Sequence, residues 1–385
     1  MPMYWSGETA FAARRPSADH IVLVLHDFGG GGSERIAIRL ANAWVDAGRR
    51  VSLYCGAEDG PLRRLVSPRI SMTSIAPGGT RRAGRRELGR ALAASVRADR
   101  PDIVVGPGNY HVPILRAMID DLAWDRPAVA CKLSNPLVRG DRPRLAQVLF
   151  TANFRRVTAP FDTLVAMSPA LAAEATVLLH RHDIACVHEP NLDAVPAPAL
   201  DRPGTGMILC VGRLTRQKNF GLALDAFARA DPSLRLVLLG QGEEEAMLKA
   251  RAQTLGIAER ITFAGFVHDV PRYLAQADVL LCTSLFEGYP AALVEALAAG
   301  VPVVSTPCSL ALPEILLDRS FGAIARPRAD EVARALTAVL HERRRPEAAS
   351  LAELGRRHQL AGSARDWLAV LDDAVAARAA VMVAA

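Results

Sequence analysis

The segment that decides the fold is Ser284-Leu-Phe-Glu-Gly-Tyr-Pro-Ala-Ala-Leu-Val-Glu-Ala-Leu-Ala-Ala-Gly-Val-Pro-Val-Val-Ser305. It follows an apolar strand, continues into a helix whose first turn suits Pro290, and ends in a second apolar strand, Val303–Ser305. This order is typical of a parallel sheet, because parallel strands need a long crossover connection. Glu295 lies inside the apolar helix, where an unpaired carboxylate is costly, so we expect it to face a polar ligand group.

The same alternation of short apolar runs and helical stretches extends outward over the whole chain. The first half has a strand-like run at Ile21–Leu25, and the second half has further runs near Ile208–Val211, Leu236–Leu239, Ile261–Ala264 and Val279–Thr283. Ligands of such sheets bind beyond the carboxyl ends of the strands. The sequence therefore predicts an α/β protein with two doubly wound, Rossmann-like domains that face a central cleft.

Four prolines within residues 190–203 cannot continue a helix or a central strand, so this stretch is predicted to join the two domains. The predicted division is a flexible N-terminus at 1–19, a first domain at 20–190, a linker at 191–203, a second domain at 204–360, and a C-terminal helix at 361–385 that packs back on the first domain.

Composition excludes several classes of protein. The chain has 385 residues, 50% hydrophobic and 22% charged, with a mean hydropathy of +0.15, which excludes disordered, collagenous and coiled-coil chains. No apolar run approaches the about 20 residues that a bilayer crossing needs, and residues 1–19 lack the apolar stretch of a signal peptide. The six scattered cysteines form no Cys-x-x-Cys pair, so we expect them to be reduced. A soluble cytoplasmic protein is expected.

The positive charge is concentrated in the first half. Residues 1–192 hold 25 Lys and Arg against 18 Asp and Glu, a net charge of +7, whereas residues 193–385 carry −1. The basic clusters lack interleaved aromatic residues, so no nucleic acid partner is expected. One interpretation is a solvated surface; the other is contact with an anionic membrane or a phosphorylated acceptor. The segment Arg81–Arg90, beside Leu88 and Leu92, is predicted to be a helix that lies on lipid headgroups.

Two loops carry features of anion binding. Asp27-Phe-Gly-Gly-Gly-Gly-Ser33 joins a strand to a helix start, where Gly30, Gly31 and Gly32 let the backbone approach a ligand; the alternative is a flexible turn. It matches neither the Rossmann dinucleotide spacing nor a P-loop. In Val211-Gly-Arg-Leu-Thr-Arg-Gln-Lys-Asn219, Arg213 and Lys218 can straddle a diphosphate; the alternative is a helix cap.

Taken together, these motifs resemble a known family. Gly29–Gly32 with Ser33-Glu34-Arg35, Gly212-Arg213 with Lys218-Asn219, Phe263-Ala-Gly265, Glu287-x7-Glu295 and Ala299-Gly-Val-Pro-Val303 match in order a retaining glycosyltransferase of family 4, which has the GT-B fold. The resemblance covers about residues 21–345 and is strongest over 208–306. It implies that the first domain faces the acceptor and that the second binds a nucleoside diphosphate sugar.

The resemblance also implies residue roles in the second domain. Arg213 and Lys218 would bind the diphosphate, Glu295 the ribose and Glu287 the sugar hydroxyls. The remaining donor-binding residues would be Gly265, Phe266 and Val267 at the base, and Gly288, Tyr289, Pro290, Ala291, Ala292 and Leu293 around the helix start. Gly30, Gly31 and Gly32 would close over the diphosphate. Neither a metal nor a cofactor is expected, in keeping with the lack of a suitably placed Asp-x-Asp.

The first domain is implied to supply a histidine after the strand Ile103–Val105. In Gly106-Pro-Gly-Asn-Tyr-His111 that position is either His111, the catalytic candidate, or Asn109, and a histidine at a helix start is often only a cap. Three further residues are predicted to line the acceptor side: Lys132, Ser134 and Asn135.

The expected function is retaining transfer of a sugar from a nucleoside diphosphate donor to an acceptor hydroxyl, in bacterial cell-surface or exopolysaccharide glycan synthesis. The expected acceptor is a glycan or lipid-linked molecule, met in the cytoplasm or on the inner face of the plasma membrane; UDP, GDP and ADP donors remain open. One alternative is a nucleotide-sugar 2-epimerase, which would release a different sugar isomer without acceptor. Another is a non-catalytic nucleotide- or sugar-binding module.

Overall fold

The computed structural model describes residues 17–29, 31–76, 84–193, 204–317, 319–342 and 347–384, which form two parallel sheets. The first sheet has the order β3-β2-β1-β4-β5-β6-β7, with β1 His20–Leu25, β2 Arg50–Cys55, β3 Ser71–Ser74, β4 Ile103–Gly106, β5 Ala128–Lys132, β6 Thr163–Ala166 and β7 Ile184–Cys186. The second has the order β10-β9-β8-β11-β12-β13, with β8 Met207–Val211, β9 Arg235–Leu239, β10 Ile261–Gly265, β11 Val279–Cys282, β12 Val303–Ser305 and β13 Gly322–Ile324.

Helices cover both faces of each sheet. Those of the first domain are α1 Gly32–Asp46, α2 Arg85–Asp99, α3 Val112–Leu122, α4 Arg144–Thr158 and α5 Pro169–Leu179. The second domain has α6 Phe220–Phe227, α7 Glu245–Thr254, α8 Val270–Leu274, α9 Ala291–Ala298, α10 Leu312–Ile315, α11 Ala329–His341 and α12 Ala348–His358, and α13 Leu360–Ala384 ends the chain. The predicted doubly wound α/β architecture is therefore confirmed.

The strands are apolar along their whole length because helices bury both of their faces. In β1, Ile21, Leu23 and Leu25 pack into one core beneath α1, whereas Val22 and Val24 pack into another beneath α2 and α3. The first strand of the second domain divides its side chains in the same way. All six cysteines are free thiols.

Strand order reverses beside β1 in the first sheet and beside β8 in the second. At such a reversal the helices on either side of the strand diverge, and a crevice opens beyond its carboxyl end. The loops after β1, β4 and β8 are therefore the positions where ligand-binding groups are expected to gather.

The chain returns to the first domain at its C-terminal end. Helix α13 packs against α1 and β5, with the indole of Trp367 6.1 Å from that of Trp44 between ring centroids. Before it, Gln359 pairs with Leu192 in an isolated β-bridge. Of the predicted linker, residues 194–203 lie outside the described residues, as do residues 1–16 of the N-terminal segment.

The prediction for Arg81–Arg90 is wrong in one respect. Arg85, Arg86 and Arg90 are exposed at the start of α2, but Leu88 and Leu92 are only 2% and 0% exposed and face the core. The apolar side chains are therefore unavailable to lipid, since α2 uses them to pack on α3 and the sheet. Arg81 and Arg82 lie outside the described residues.

Helix length and hydropathy also bear on membrane insertion. Across the described residues, no helix combines the length and the apolar character needed to cross a bilayer.

Candidate functional site

A cleft of about 880 Å³ lies between the two domains, at the carboxyl ends of both sheets. The first domain lines it with the glycine-rich loop and with the loops after β4 and β5. The second domain lines it with the loops after β8, β9 and β10 and with α9. Predicted site residues on its wall are Gly31, Gly32, His111, Ser134, Asn135, Arg213, Phe266, Val267 and Glu295.

The glycine-rich loop delivers the start of α1 to this cleft. Gly31 is the N-cap residue and has no side chain to bond the free N–H groups of the first turn. The turn before it is held by Asp27, whose Oδ1 accepts from the Gly29 N–H at 2.7 Å. A helix start with free N–H groups attracts anions, so this loop is suited to phosphate oxygens. Gly30 lies outside the described residues.

Glu295 faces α1 across the cleft. Burial raises the pKa of the Glu295 carboxyl, and the guanidinium groups of Arg35 and Arg39 oppose that shift. Within the described part of the chain, no side chain donates a hydrogen bond to this carboxylate. A half-buried carboxylate without a protein donor retains capacity to accept hydrogen bonds, so the arrangement favours a ligand that brings hydroxyl groups to it.

Arg213 is the exposed cation at the carboxyl end of β8. It lines the cleft, and its guanidinium forms no ion pair with any residue that the structure describes. Gly212 holds the preceding turn at φ +150°, a conformation that disfavours other residues. The aliphatic part of Lys218 packs on Gly212, where an added Cβ would lie 2.7 Å from Lys218 Cε.

Lys218 and Glu287 are paired with each other rather than exposed to the cleft. Lys218 Nζ lies 2.6 Å from Glu287 Oε1, and the Ser284 hydroxyl donates to the same oxygen at 2.7 Å. Burial by itself lowers the pKa of the Lys218 ammonium, but Glu287 and two neighbouring cysteines outweigh it, so the pKa is raised. Lys218 therefore remains a cation beside Arg213.

The predicted base loop reaches across to the first domain. Phe266 and Val267 line the cleft after Gly265, which has φ +70°. The Phe266 ring meets the His268 ring edge-on at 4.9 Å, and His268 Nδ1 lies 2.8 Å from Nη2 of Arg64 in the first domain. The loop thus offers an aromatic face beside a contact that joins the two domains.

His111 lies on the first-domain side of the cleft. Its ring is buried, and neither nitrogen has a hydrogen-bond partner among the described residues. Burial lowers the pKa of His111 to about 4, so the imidazole is neutral near pH 7. Neutral imidazole has one donor and one acceptor, and both are unsatisfied beneath the cleft wall among the described residues.

Asn109, the alternative to His111, holds two loops together. Its Oδ1 accepts from the backbone N–H groups of Ser134 at 2.7 Å and Asn135 at 3.3 Å, and its own N–H donates to the Ser134 hydroxyl. Asn109 thus fixes the loops after β4 and β5 through its Oδ1, whereas His111 has both ring nitrogens unbonded among the described residues.

Lys132 does not lie where the sequence predicts. Its side chain is buried at the end of β5, and Nζ forms an ion pair with Glu189 Oε1 at 2.7 Å. It does not line the cleft. A buried ammonium needs a charged partner, and the segment after β7 supplies one.

Tyr289 and Leu293 also turn away from the cleft. The His358 ring donates from Nδ1 to the Glu189 carbonyl, so its Nε2 accepts from the Tyr289 hydroxyl, at 3.0 Å in each case. Leu293 is fully buried in the second-domain core. Pro290, Ala291 and Ala292 form the start of α9, and Gly288 abuts the Ser134 carbonyl of the first domain.

No metal centre is evident. Within the described ranges, no three His, Cys, Asp or Glu residues are grouped so that they could hold a metal ion.

Family models match both halves of the chain. The model for glycosyltransferase family 4 covers residues 30–190, and that for glycosyl transferases group 1 covers residues 197–358. The chain belongs to the group 1 glycosyltransferases.

Curated relatives match only part of this chain. A 4-alpha-N-acetylgalactosaminyltransferase of Campylobacter jejuni, which acts on a diacetylbacillosaminyl-diphospho-undecaprenol substrate by its name, is 36% identical over 115 residues, 30% of this chain and 32% of the relative. The lipopolysaccharide core glycosyltransferase LpsE of Rhizobium meliloti is 33% identical over 150 residues, 38% and 44% of the two chains. The chain matches less than half the length of these relatives.

Solved structures match over almost the whole chain and show the GT-B fold. The lipopolysaccharide galactosyltransferase WaaB has a TM-score of 0.69 at 18% identity, over 92% of this chain and 99% of that one. HepE of Anabaena, solved with UDP and glucose, has a TM-score of 0.71 at 18% identity, over 90% and 97%.

Sequence reasoning missed several cleft residues of this family member. Gln241, Arg64 and His268 line the cleft, but each stands outside the motifs. Arg35 belongs to the Ser33-Glu34-Arg35 motif, but the motif predicts no role for it. In the structure it lies in the first turn of α1 and its charge acts on Glu295. The position of Arg35 at a helix start was the one signal that sequence offered.

Proposed function

We propose that the chain transfers a sugar from a nucleoside diphosphate donor to an acceptor hydroxyl, with retention of anomeric configuration. The observation that carries this proposal is that Arg213, the carboxylate of Glu295 and the start of α1 all line one cleft. Arg213 and the start of α1 suit the negative charge of a diphosphate, and the Glu295 carboxylate suits a ribose hydroxyl.

The cations serve the leaving group. As the bond between the anomeric carbon and the diphosphate breaks, negative charge grows on the phosphate oxygens, and Arg213, Lys218 and the N–H groups of α1 stabilise it. A diphosphate oxygen takes the proton of the acceptor hydroxyl, which attacks the same face of the sugar. The Lys218–Glu287 pair lies behind this site, so Lys218 acts on the phosphates, and Glu287 on the sugar hydroxyls, only once the bound donor draws the pair to the cleft surface.

His111 orients substrate rather than supplying charge. Because its pKa is about 4, the ring is neutral at pH 7 and can donate one hydrogen bond and accept another. Its place beside Ser134 and Asn135 on the cleft wall suits the space between donor sugar and acceptor. Arg213 and Lys218 supply the electrostatic role that a metal would have, and we propose that the reaction needs neither metal nor cofactor.

The acceptor is proposed from charge and from the relatives. One relative is named for a diphospho-undecaprenol glycan substrate, and two others are named as glycosyltransferases of lipopolysaccharide core biosynthesis and of amylovoran biosynthesis. The first domain, which carries the excess positive charge, lines the acceptor side of the cleft. A glycan or lipid-linked acceptor of a cell-surface polysaccharide, met in the cytoplasm at the inner face of the plasma membrane, agrees with both.

The test is an incubation of the full chain with UDP-, GDP- and ADP-linked hexoses and a panel of lipid diphosphate and oligosaccharide acceptors, in the presence of EDTA. Nuclear magnetic resonance spectra of the product give the anomeric configuration. A glycoside with the donor's configuration, formed without metal, supports the proposal. Release of a donor isomer without acceptor, an inverted product, or binding without turnover on any acceptor contradicts it.

A further inference from the structure

Helix α4 exposes apolar side chains on its outer face. Leu145, Val148 and Leu149 are 73%, 64% and 61% exposed, and Ala152 beside them is exposed as well. Their spacing of three and four residues places them in one row along the helix. We call these four residues the α4 stripe.

The stripe lies opposite the face that holds α4 on the protein. Phe154 and Thr158 are buried on that inner face, and Phe150 packs against the same core. A surface helix ordinarily has apolar residues towards the core and polar ones outward. Because α4 is apolar on both sides, its outer row is not explained by the packing of this domain.

Arginines frame the stripe, and no acid interrupts it. Arg144, Arg155 and Arg156 are exposed on α4, and the segment Arg144–Thr158 contains neither Asp nor Glu. An apolar row bordered by cations is the composition of helices that lie in the plane of a membrane with anionic headgroups. Its charge is complementary to phosphate-bearing lipids.

The stripe is close to the acceptor side of the cleft. The loop that begins with Ser134 and Asn135 on the cleft wall leads directly into α4. Along this loop, the Arg139 guanidinium lies 3.4 Å from the centre of the Phe286 ring in the second domain. A partner bound to the α4 stripe would therefore lie next to the rim of the cleft.

We propose that the α4 stripe and its arginines dock on an anionic lipid bilayer. A second copy of the chain is a poorer occupant, because four small side chains fall well short of the about 800 Å² that each partner buries in a stable interface. The undescribed N-terminal residues are also poorly placed, since the chain enters at Ala18 in the core under α1, on the opposite face of the sheet from Phe154. The inference rests on this surface and not on the proposed sugar transfer.

The experiment is flotation of the full chain with vesicles of phosphatidylglycerol and phosphatidylcholine, or of phosphatidylcholine alone. The wild type is expected to bind the anionic vesicles at least tenfold more strongly than the neutral ones. Leu145→Ser with Val148→Ser and Leu149→Ser should lower binding to anionic vesicles about tenfold or more. The matched control is Met247→Ser with Val381→Ser, two exposed apolar residues on α7 and α13, and it should bind as the wild type does.

Two further variants locate the contact. Arg144→Ser with Arg155→Ser and Arg156→Ser should reduce anionic binding severalfold, whereas Arg85→Ser with Arg86→Ser and Arg90→Ser on α2 should change it less. A Leu149→Trp variant should show blue-shifted fluorescence that brominated lipid quenches. Because the stripe is exposed, circular dichroism should give the triple serine variant the melting temperature of the wild type.

Failure takes distinct forms. Unchanged binding of the stripe variant, or no binding of the wild type at low salt, overturns the proposal. A wild-type dimer that becomes a monomer in the stripe variant, without vesicle binding, assigns the stripe to a second copy instead. Hydrolysis of the donor without acceptor is measured in parallel without vesicles, where the stripe variant should equal the wild type, so loss of docking is distinguishable from loss of the proposed chemistry.

Discussion

Lys218 and Glu287, 69 residues apart in sequence, form an ion pair of 2.6 Å beside the cleft. The pair has a structural consequence as well as a chemical one. Each charge is largely buried, and removal of one partner leaves the other uncompensated. The cation that we propose for the diphosphate is thus held in place by the carboxylate that we propose for the sugar.

The pair leads to a prediction about the two glutamates. Glu287→Gln should lower sugar transfer about a hundredfold while changing the affinity for free nucleoside diphosphate much less, because the amide oxygen can still accept from the Lys218 ammonium and keep that cation in place. Glu295→Gln should instead weaken nucleotide binding itself about tenfold, since the amide replaces the ribose partner. Calorimetric titration and initial rates separate the two effects; equal losses of nucleotide affinity would show that the roles are misassigned.

Stability should depend on pH through the buried histidines. Burial lowers the pKa of His111 and of His358 to about 4. The unfolded chain binds protons near pH 6.5 and the folded chain does not, so the contribution of each is present above pH 6.5 and is lost as the pH falls to about 4.

The His111→Gln variant isolates one of these contributions. Between pH 6.5 and 4 the free energy of unfolding of the wild type should fall about 1.4 kcal/mol per pH unit faster than that of the variant. Urea unfolding at four pH values measures it. Parallel pH profiles of the two proteins would mean that His111 is not buried in its neutral form.

Domain closure should depend on Gly288. A Cβ at this position would overlap the Ser134 carbonyl oxygen of the first domain. Gly288→Ala should therefore hold the cleft open and lower kcat about a hundredfold, because the reacting groups are misplaced, while nucleotide binding to the second domain persists. Gly221→Ala is the matched control: nothing lies within 4 Å of its Cβ, and it sits in α6, so activity should be unchanged. Equal kcat for both variants would remove Gly288 from closure.

The sequence was sufficient for the architecture and for placing the glycine-rich loop, Arg213 and Glu295 at the cleft. Each of these rests on local signals: a repeated apolar period, a glycine run before a helix, and a charge inside an apolar helix. Such signals can be read from the sequence because a parallel strand is buried on both faces and polar ligand-binding groups follow its carboxyl end.

The remaining site residues depend on contacts far apart in the chain. Lys132 forms an ion pair with Glu189, 57 residues away, and Tyr289 forms a hydrogen bond with His358, 69 residues away. The sequence suggested that Leu88 could contact lipid, because an apolar helix face that packs on a neighbouring helix has the same residue pattern as one that contacts a membrane. In the structure, that face of α2 packs on α3. The exposure of the apolar outer face of α4 likewise depends on how that helix packs on the domain.

The proposed transfer depends most on Arg213, which would stabilise the leaving diphosphate. The most direct measurement is the rate of nucleoside diphosphate release from UDP-, GDP- and ADP-hexoses by the wild type, Arg213→Ala and Arg216→Ala, the last being an exposed arginine of the same loop outside the cleft. We predict release from one donor class by the wild type and Arg216→Ala alike, with Arg213→Ala slower by about two to four powers of ten. Equal rates for Arg213→Ala and the wild type, or release from no donor, would contradict the account.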